Sequence, residues 1–417
     1  MHACGMDFGT SNSAVALPDR QGGVTLAACE DHHGTLPTAL FYAAAGGIPQ
    51  VGRKAQKLFF EGEEGRFMRS LKRLLGTSLM TQATVVNGKP RYFDTIIADF
   101  MKHLKSRAEV AAGAPLDAAV IGRPVHFVDG DNSADQIAEA QLAAVARQAG
   151  FAQVHFQFEP IAAAFAHERR IAREKLALVV DIGGGTSDFT LIKICADYSA
   201  KPDRKDDLLA SHGIRTGGND FDKQLSLAAF MPLLGYRGTY GEKDLAVPLA
   251  PFHDMSEWSK INFLYTPQQR REMALILREA HTPEKLARFV RILEHENGHN
   301  LLAAVEETKI ALTAQTSAAA PLDFVESGLA AEVTRDDFDR AIGGNMTDIL
   351  AAMDDCLQSA QIDAAKIDIV ILTGGPTETP LLQDAIRSRF PQADISEDER
   401  MASVALGLGH DAYRVYR

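Results

Sequence analysis

Two segments that lie far apart in this chain share one sequence pattern. Residues 179–194 read VVDIGGGTSDFTLIKI and residues 4–17 read CGMDFGTSNSAVAL. Both run from an apolar residue through Asp, an apolar residue and Gly to hydroxyl residues, and then continue as an apolar strand. A repeat at so long an interval predicts two similar lobes rather than a solenoid, whose periods are far shorter.

The chemistry of the second segment has two interpretations. The apolar runs predict two strands joined by a glycine hairpin, whose free N–H groups and the hydroxyls of Thr186 and Ser187 are typical of a phosphate cradle without a helix N-terminus. Asp181 and Asp188 would repel a phosphate, so this site requires a cation, for which hydrated Mg²⁺ is the candidate. The other interpretation is a tight turn with surface aspartates. The repeat around Asp7 favours a polyphosphate held between two facing hairpins.

Length and charge narrow the classes of protein. A chain of 417 residues is too long for one ordinary core, so two lobes with inserted subdomains are expected. The net charge of −12 argues against a general nucleic-acid or anionic-membrane surface. Four scattered cysteines without a CxxC pair favour a reducing cytosol. No apolar run reaches the about 18 residues that span a bilayer, so we expect a cytoplasmic protein without membrane contact.

Other candidate functional features of the sequence are weaker than the two glycine hairpins. HENGH, residues 295–299, fits the HExxH pattern of zinc peptidases, but Asn297 and Gly298 lower helix propensity and no third ligand follows. We therefore interpret its histidines as part of a solvated helix face. Lys72 by itself is likewise typical of a solvated helix face. The Walker A pattern GxxxxGK[ST] is absent from the sequence.

The remaining chain has α/β character. Residues 117–126 predict a buried strand ending at Pro124, and a helix is predicted over residues 135–151. Glu159 is predicted at a strand end, with Pro160 in the first turn of the next helix. Residues 367–386 predict a strand, a glycine turn and a helix, which makes a third candidate nucleotide contact. A closing helix is predicted at the C-terminus, weakened by its glycines.

Five ordered motifs together resemble the ATPase domain of the 70-kDa heat-shock chaperones, and more closely the short DnaK-related proteins called YegD-like. The resemblance spans nearly the entire chain. RTGGNDFD, residues 215–222, and AVEETKIALT, residues 304–313, match further segments of that family. The five motifs are DFGTSNSAVA, AVIGRPVHF, FEPIAAA, VVDIGGGTSDFTL and ILTGGPTETPLL.

The resemblance implies an α/β, actin-like ATPase fold with two lobes of ribonuclease-H-like core, each carrying an inserted subdomain. Lobe I would span residues 1–170, with its insertion at about 37–108. Lobe II would span residues 171–398, with a mostly helical insertion at about 219–303. Residues 399–417 would form a C-terminal helix that packs back towards lobe I, and no substrate-binding domain is expected.

The resemblance also implies a nucleotide site. Asp7 and Asp181 would hold hydrated Mg²⁺, and the catalytic residues would be Lys72, Glu159, Asp188 and Thr186. Pro124 corresponds to a strand-end proline that relays nucleotide state between the lobes. Phosphates would be bound by Gly9, Thr10, Ser11, Gly183, Gly184, Gly185 and Thr186, and the adenosine would lie among Glu306, Lys309, Thr313, Gly374 and Gly375.

The chain departs from the family pattern at three places. Glu378 stands where the chaperones have an arginine that stacks on adenine, which removes a cation–π contact and adds negative charge. Residues 128–135 replace the connection after the proline strand, so the arginine partner of that relay is not identifiable. The apolar linker and β-sandwich substrate domain of full chaperones are not found in this sequence.

The leading functional hypothesis is therefore a chaperone-like protein that binds ATP or ADP with Mg²⁺. We expect slow hydrolysis of ATP to be coupled to lobe closure and to signalling to a protein partner or co-chaperone, without nucleic acid or membrane. Two alternatives from other classes stay open: a metabolite kinase of the same superfamily, and an actin-like scaffold that does not hydrolyse ATP.

Overall fold

A computed structural model describes residues 2–127, 132–168, 171–201, 204–396 and 402–416. The strands are β1 Ala3–Phe8, β2 Asn12–Pro18, β3 Val24–Leu26, β4 Thr35–Pro37, β5 Ala39–Ala43, β6 Gln50–Val51, β7 Gly65–Arg69, β8 Ala83–Val86, β9 Lys89–Tyr92, β10 Ala118–Arg123, β11 Gln153–Phe158, β12 Lys175–Ile182, β13 Ser187–Ile194, β14 Leu208–Ile214, β15 Thr239–Tyr240, β16 Leu245–Ala246, β17 Ser317–Pro321, β18 Ala330–Thr334, β19 Ile369–Thr373 and β20 Asp394–Ser396. The α-helices are α1 Gly52–Phe60, α2 Phe93–Ala112, α3 Asn132–Gln148, α4 Glu159–Glu168, α5 Gly218–Leu225, α6 Ala250–Met255, α7 Ile261–Leu264, α8 Pro267–Arg278, α9 Pro283–His295, α10 Gly298–Ala314, α11 Arg335–Ser359, α12 Pro380–Arg389 and α13 Ser403–Tyr416.

The chain forms two compact units. The first comprises Met1–Arg215, Ala352–Thr377 and Ile386–Arg417, and the second comprises Thr216–Ala351 and Glu378–Ala385. The boundary expected between residues 170 and 171 and the start of the C-terminal segment at residue 399 involve residues outside the described ranges.

The first unit contains the same strand arrangement twice. One sheet has the order β11-β10-β1-β2-β3, with β4 also paired to β2, and the other has the order β14-β13-β12-β19-β20. In each sheet the first strand of a glycine hairpin has a parallel neighbour, and the second strand of that hairpin is antiparallel to it. The sequence repeat therefore corresponds to a structural repeat. β19 is buried along its whole length, as parallel central strands require.

The region predicted as an insertion at about 37–108 contains β5 to β9, α1 and α2. Its long helix α2 shares a hydrophobic cluster with β1, and the ring centroids of Phe8 and Phe100 are 5.8 Å apart. Every third or fourth residue of α2 is apolar and buried, including Phe100 and Leu104. This helix is thus anchored in the core of the first sheet.

The closing helix α13 packs tightly within the first unit, against β1, β2, β10 and α4. A Cβ atom added to Gly407 would lie 1.7 Å from the Ala162 carbonyl oxygen. One added to Gly409 would lie 2.9 Å from the Cβ atom of Ala16. These glycines do not mark a weak helix. They allow its backbone to approach its neighbours, and that close packing offsets their lower helix propensity.

The second unit is mainly helical between residues 216 and 314. Phe252 and Phe289 pack with ring centroids 4.4 Å apart, and both are fully buried. The helical stretch is interrupted by a π-helical turn at Ser226–Phe230 and by the short β15–β16 hairpin. The β17–β18 hairpin then follows α10. In the described ranges no helix is both long enough and apolar enough to cross a membrane.

Candidate functional site

The β12–β13 hairpin carries the glycine triplet. Ile182 pairs with Ser187, so residues 183–186 form the turn, and the Gly183 N–H donates to the Thr186 carbonyl oxygen at 2.9 Å. A Cβ atom added to Gly183 would meet nothing closer than that same oxygen, at 3.8 Å. Since no neighbouring group crowds Gly183, this side of the turn has room for a ligand.

Two carboxylates face each other at the base of this turn. Asp181 and Asp188 are directly paired in the antiparallel register. The Thr186 hydroxyl donates to the Asp188 carboxylate at 3.0 Å. A pair of like charges at such a position destabilises a sheet unless a cation or a proton compensates it. The hydroxyl, the turn and both acids predicted as one site are therefore adjacent.

The β1–β2 hairpin is tighter. A Cβ atom at Gly9 would lie 2.1 Å from the Asn12 carbonyl oxygen, so only glycine fits there. Thr38 supports the turn from outside, because its hydroxyl donates to the Gly9 carbonyl at 2.8 Å and its N–H donates to the Ser11 carbonyl at 2.8 Å. Thr10 and Ser11 stay partly exposed at the tip. Thr38 was not predicted as a site residue, because no local sequence pattern marks it.

Lys72 and Glu159 form an ion pair in the first unit. The Lys72 Nζ atom lies 2.5 Å from Glu159 Oε1, and the two side chains are 11% and 12% exposed. Lys72 sits on a 3₁₀ turn, Leu71–Leu74, preceded by Ser70 in a left-handed conformation. Its interpretation as part of a solvated helix face was wrong. The lysine is turned inward by the loop and paired.

Gly122 makes room for this pair. A Cβ atom at Gly122 would lie 3.1 Å from the Glu159 Cγ atom. Glu159 begins α4 immediately after β11, and Pro160 occupies the first turn, as the sequence predicted. A cavity beside the pair is lined by Pro124, Glu159, Asp181 and Asp188. The strand-end proline is therefore close to the acidic cluster.

The site has more buried carboxyl groups than buried cationic groups. Burial and then the charge of Glu159 raise the pKa of Asp7 to about 7. Burial, Glu159 and Asp188 raise the pKa of Asp181 well above its ordinary value. Burial disfavours the charged form of Lys72, but the nearby carboxylates outweigh it and raise its pKa. One lysine cannot neutralise this set, and carboxylate oxygens are the donors that a divalent cation prefers.

Within the described part of the chain, no group of three or more His, Cys, Asp or Glu side chains is arranged to hold a metal ion. A cation bound near Asp7 and Asp181 would therefore complete its coordination with water and with ligand oxygens. Mg²⁺ keeps several waters in sites of this kind, so the donor set fits a hydrated magnesium ion.

Gly374 closes the end of β19. Thr373 pairs with Asp181 in parallel register, and Gly374 follows with φ at +86°. A Cβ atom there would lie 2.1 Å from the Ile182 carbonyl oxygen, so glycine is required. The Thr377 hydroxyl donates to the Gly374 carbonyl at 2.6 Å and fixes the turn that contains Gly375. The third glycine turn thus lies beside the second hairpin.

The residues expected around adenosine in the second unit share one helix. Glu306, Lys309 and Thr313 lie on one face of α10 because they are spaced by three and four residues. Lys309 donates to the Asp222 carboxylate at 2.9 Å, and both side chains are 13% exposed. Glu378 is exposed. Asp222 was not predicted from sequence as the acidic partner of Lys309.

Comparisons with known proteins agree with the motifs. A family model described as Hsp70 protein matches residues 292–409, and one described as MreB/Mbl protein matches residues 87–228. The "Chaperone protein HscA homolog" of Methylobacillus flagellatus is 26% identical over 98% of this chain and 57% of its own length. That of Aromatoleum aromaticum is 27% identical over 98% and 57%. The "Chaperone protein DnaK" of Mycoplasmopsis pulmonis is 25% identical over 95% and 56%.

Over nearly its whole length, the chain is similar to chaperones of the Hsp70 family. The Hsp70 and MreB/Mbl matches together imply an actin-like ATPase fold for this chain. It spans little more than half the length of these relatives, 57% of the one from Methylobacillus flagellatus.

The HENGH segment of this chain is not a single helix. α9 ends at His295, Glu296 adopts a left-handed conformation, and α10 starts at Gly298. The interpretation as a solvated helix face was wrong for His299, which is 7% exposed and packs against Trp258 with ring centroids 4.5 Å apart and ring planes tilted by 33°. The break removes the helical spacing of the two histidines on which the zinc-peptidase pattern depends.

Arg73 was also missed from sequence. Its side chain is exposed, and its Nη1 atom would lie 3.6 Å from a Cβ atom built on Gly185. The guanidinium therefore sits beside the glycine turn, next in sequence to Lys72. An arginine in this place adds positive charge at the side of the turn where phosphates are expected.

Proposed function

We propose that this chain is an Hsp70-family protein that binds ATP together with Mg²⁺ and hydrolyses it slowly to ADP and phosphate. The observation that carries the proposal is the meeting of the Asp181–Asp188 pair with the Lys72–Glu159 ion pair around one glycine turn. Acidic residues that surround a single lysine make a site for a cation and its phosphate ligand rather than for a free phosphate.

The site residues have two binding roles in this proposal, one toward phosphate and one toward the metal ion. The two hairpins bind the phosphate oxygens, the first through Gly9, Thr10 and Ser11 and the second through Gly183, Gly184, Gly185 and Thr186. Asp7 and Asp181 hold the hydrated Mg²⁺, which supplies positive charge against the polyphosphate when it is bound.

Lys72 is the mobile positive charge of the site. Its ion pair with Glu159 keeps it beside the acids, and an entering phosphate would compete with that carboxylate for the ammonium group. Glu159 and Asp188 then orient the attacking water and accept its proton, since phosphoryl transfer depends on positioning and charge neutralisation more than on covalent catalysis. Thr186 fixes the Asp188 carboxylate through its hydroxyl.

The base-binding part of the proposal involves Gly374, Gly375, Glu306, Lys309 and Thr313. We further propose two lobes, with boundaries near residues 170 and 398, whose closure follows nucleotide state and signals to a protein partner or co-chaperone. The chaperone names of the relatives support this partner class. A cytoplasmic location is part of the same proposal.

Calorimetric titration of nucleotide-free protein with ATP, with and without Mg²⁺, tests the site. We expect binding that depends on Mg²⁺ and is lost in Asp181→Ala. Asp348→Ala is the matched control, because Asp348 is an exposed carboxylate on α11. Absence of binding in the parent would contradict the proposal, as would full binding in Asp181→Ala.

Turnover tests the catalytic assignment. Lys72→Ala should lower the rate of ADP formation, whereas Lys54→Ala, at an exposed lysine of α1, should not. Equal turnover in Lys72→Ala and the parent would contradict the assignment. ADP formation that requires an added metabolite would indicate a kinase, and light scattering that rises with ATP in the absence of turnover would indicate a scaffold.

A further inference from the structure

Arg123 ends β10 and binds the chain that follows it. Its Nε atom donates to the Pro124 carbonyl at 3.1 Å, and its Nη2 atom donates to the Val125 carbonyl at 3.2 Å. Its Nη1 atom forms an ion pair with the Glu139 carboxylate on α3. The Arg123 side chain is 13% exposed. One guanidinium thus joins the strand end to a helix with all three of its nitrogens.

The same guanidinium lies against two aromatic rings. Its Cζ atom is 5.1 Å from the centroid of the Phe127 ring and 5.2 Å from that of Phe158. Arg123 pairs with Phe158 in the parallel β10–β11 register, and Phe158 is followed directly by Glu159. A cation over two rings holds both of them in place. Arg123 therefore contacts the residue that carries Glu159 into the site.

Helix α3 binds both the segment that follows Pro124 and the loop that carries Lys72. Its Asp135 accepts a hydrogen bond from the Phe127 N–H at 2.5 Å, one turn before Glu139 on the same helix face. Its Gln141 side chain accepts a hydrogen bond from the Gly76 N–H at 2.8 Å, at the end of the loop that carries Lys72. One helix thus links the Pro124 strand end to the Lys72 loop.

We infer that Arg123 is a positioning residue that holds Glu159 in line with Lys72 and fixes the Pro124 wall of the acidic cavity. Its effect on turnover rests on the proposed function, whereas its effect on the order of residues 122–127 and 156–160 does not.

Lysine cannot replace Arg123 because the function of this side chain depends on its planar guanidinium group. A guanidinium donates to two carbonyls and a carboxylate at once while its faces lie on the rings, and an ammonium group is a point charge that cannot do both. Loss of Arg123 would free Phe158 and Pro124, and a shift of about 1 Å at a catalytic carboxylate is enough to cost on the order of a hundredfold in rate.

The kinetic test compares Arg123→Lys and Arg123→Met with the parent, with saturating Mg²⁺ and varied ATP. We expect kcat to fall roughly tenfold to a hundredfold while KM changes less than about threefold. The matched controls are Arg53→Lys and Arg53→Met, since Arg53 also binds a carboxylate, that of Glu30, and a carbonyl, that of Thr35. An unchanged kcat in both Arg123 variants of an active parent overturns the inference.

The second test needs no nucleotide. Hydrogen exchange measured by mass spectrometry should be faster in peptides covering residues 122–127 and 156–160 of Arg123→Met, and unchanged there in Arg53→Met. If exchange in these peptides equals that of the parent, Arg123 does not position them and the inference fails.

These measurements separate the two proposals. A parent that neither binds nor hydrolyses ATP defeats the proposed function, and the exchange experiment then decides the role of Arg123 alone. If Arg123→Met does not fold, Glu139→Gln serves instead. This variant retains the arginine but removes its charged partner on α3, so the guanidinium is held less firmly. The same peptides should then exchange faster. Unchanged exchange in Glu139→Gln overturns the inference.

Discussion

Asp181 and Asp188 are paired directly across the β12–β13 hairpin, at the base of the glycine turn. Like charges opposite each other in a sheet are unfavourable, and burial makes the ionised form of Asp181 still less favourable. A fold without a ligand gains nothing from this pair. Its presence beside a turn with room for a ligand is the strongest structural argument for a bound cation.

Stability of the metal-free protein should fall as pH rises from about 4 to above 7. The folded state keeps a proton on Asp7, whose pKa is raised from the ordinary aspartate value of 3.8 to about 7, while the unfolded chain releases it near 3.8. The stabilisation by this proton is present below pH 4 and is lost as pH passes 7. Urea unfolding with a chelator at pH 5 and pH 8 measures it.

Asp7→Asn is the control for this pH dependence. The amide cannot ionise, so the variant should lose less stability than the parent between pH 5 and pH 8. Addition of Mg²⁺ at pH 8 should stabilise the parent but not the variant, because the ion needs the ionised carboxylate. Identical pH dependence in the two proteins would contradict the pKa assigned to Asp7.

Asp188→Asn should lower the turnover of ATP much more than the affinity for ATP. The change removes the base from the site but keeps a side-chain oxygen for the Thr186 hydroxyl. We expect the turnover of ATP to fall roughly a hundredfold, the scale for loss of a general base. ATP affinity measured by calorimetry should change by less than about tenfold, and an undiminished turnover would show that Asp188 does not act on the water.

Two glycines of the site should respond differently to alanine. Gly183→Ala should leave the free energy of unfolding nearly unchanged, because its added Cβ atom meets only an oxygen 3.8 Å away, yet it should weaken ATP binding by occupying the open turn. Gly374→Ala should destabilise the fold by more than about 1 kcal/mol, since its φ is +86° and the Ile182 carbonyl is 2.1 Å from the new atom.

Urea unfolding and calorimetry on the same two variants measure this contrast. If Gly183→Ala were as unstable as Gly374→Ala, the turn would need glycine for the fold and not for a ligand. If Gly183→Ala bound ATP as the parent does, phosphate contact at this glycine would be excluded.

Arg204→Met should destabilise the first unit strongly. Arg204 makes a two-nitrogen contact with Glu168 at the end of α4 and also binds Asp207, and the side chains of Arg204 and Glu168 are 1% and 0% exposed. Removal of the arginine leaves buried carboxylates uncompensated, at a cost of about 3–5 kcal/mol. Thermal or urea unfolding measures the loss, and Arg53→Met, which removes an arginine that is itself 43% exposed, should cost under about 1 kcal/mol. Similar losses in both variants would contradict this account.

The sequence by itself determined the local parts of the site. Both glycine hairpins, the β19 glycine turn and the position of Glu159 before Pro160 follow from residues that are neighbours in the chain, because hairpin register and helix starts depend on short-range geometry. The repeat of Asp7 and Asp181 also followed from sequence, since each residue belongs to its own copy of one local pattern.

Only the tertiary structure decided which distant residues meet. Lys72 and Glu159 are 87 residues apart and touch because a loop and a helix start are packed together. Thr38 under the first hairpin, and Arg123 between a strand end and α3, have no sequence signal, since one threonine or arginine looks like any other until its partners are fixed. The glycines of α13 likewise predicted a weak helix, whereas in the structure they allow its backbone to pack closely against neighbouring elements. Local propensity sets the elements, and long-range packing sets their partners.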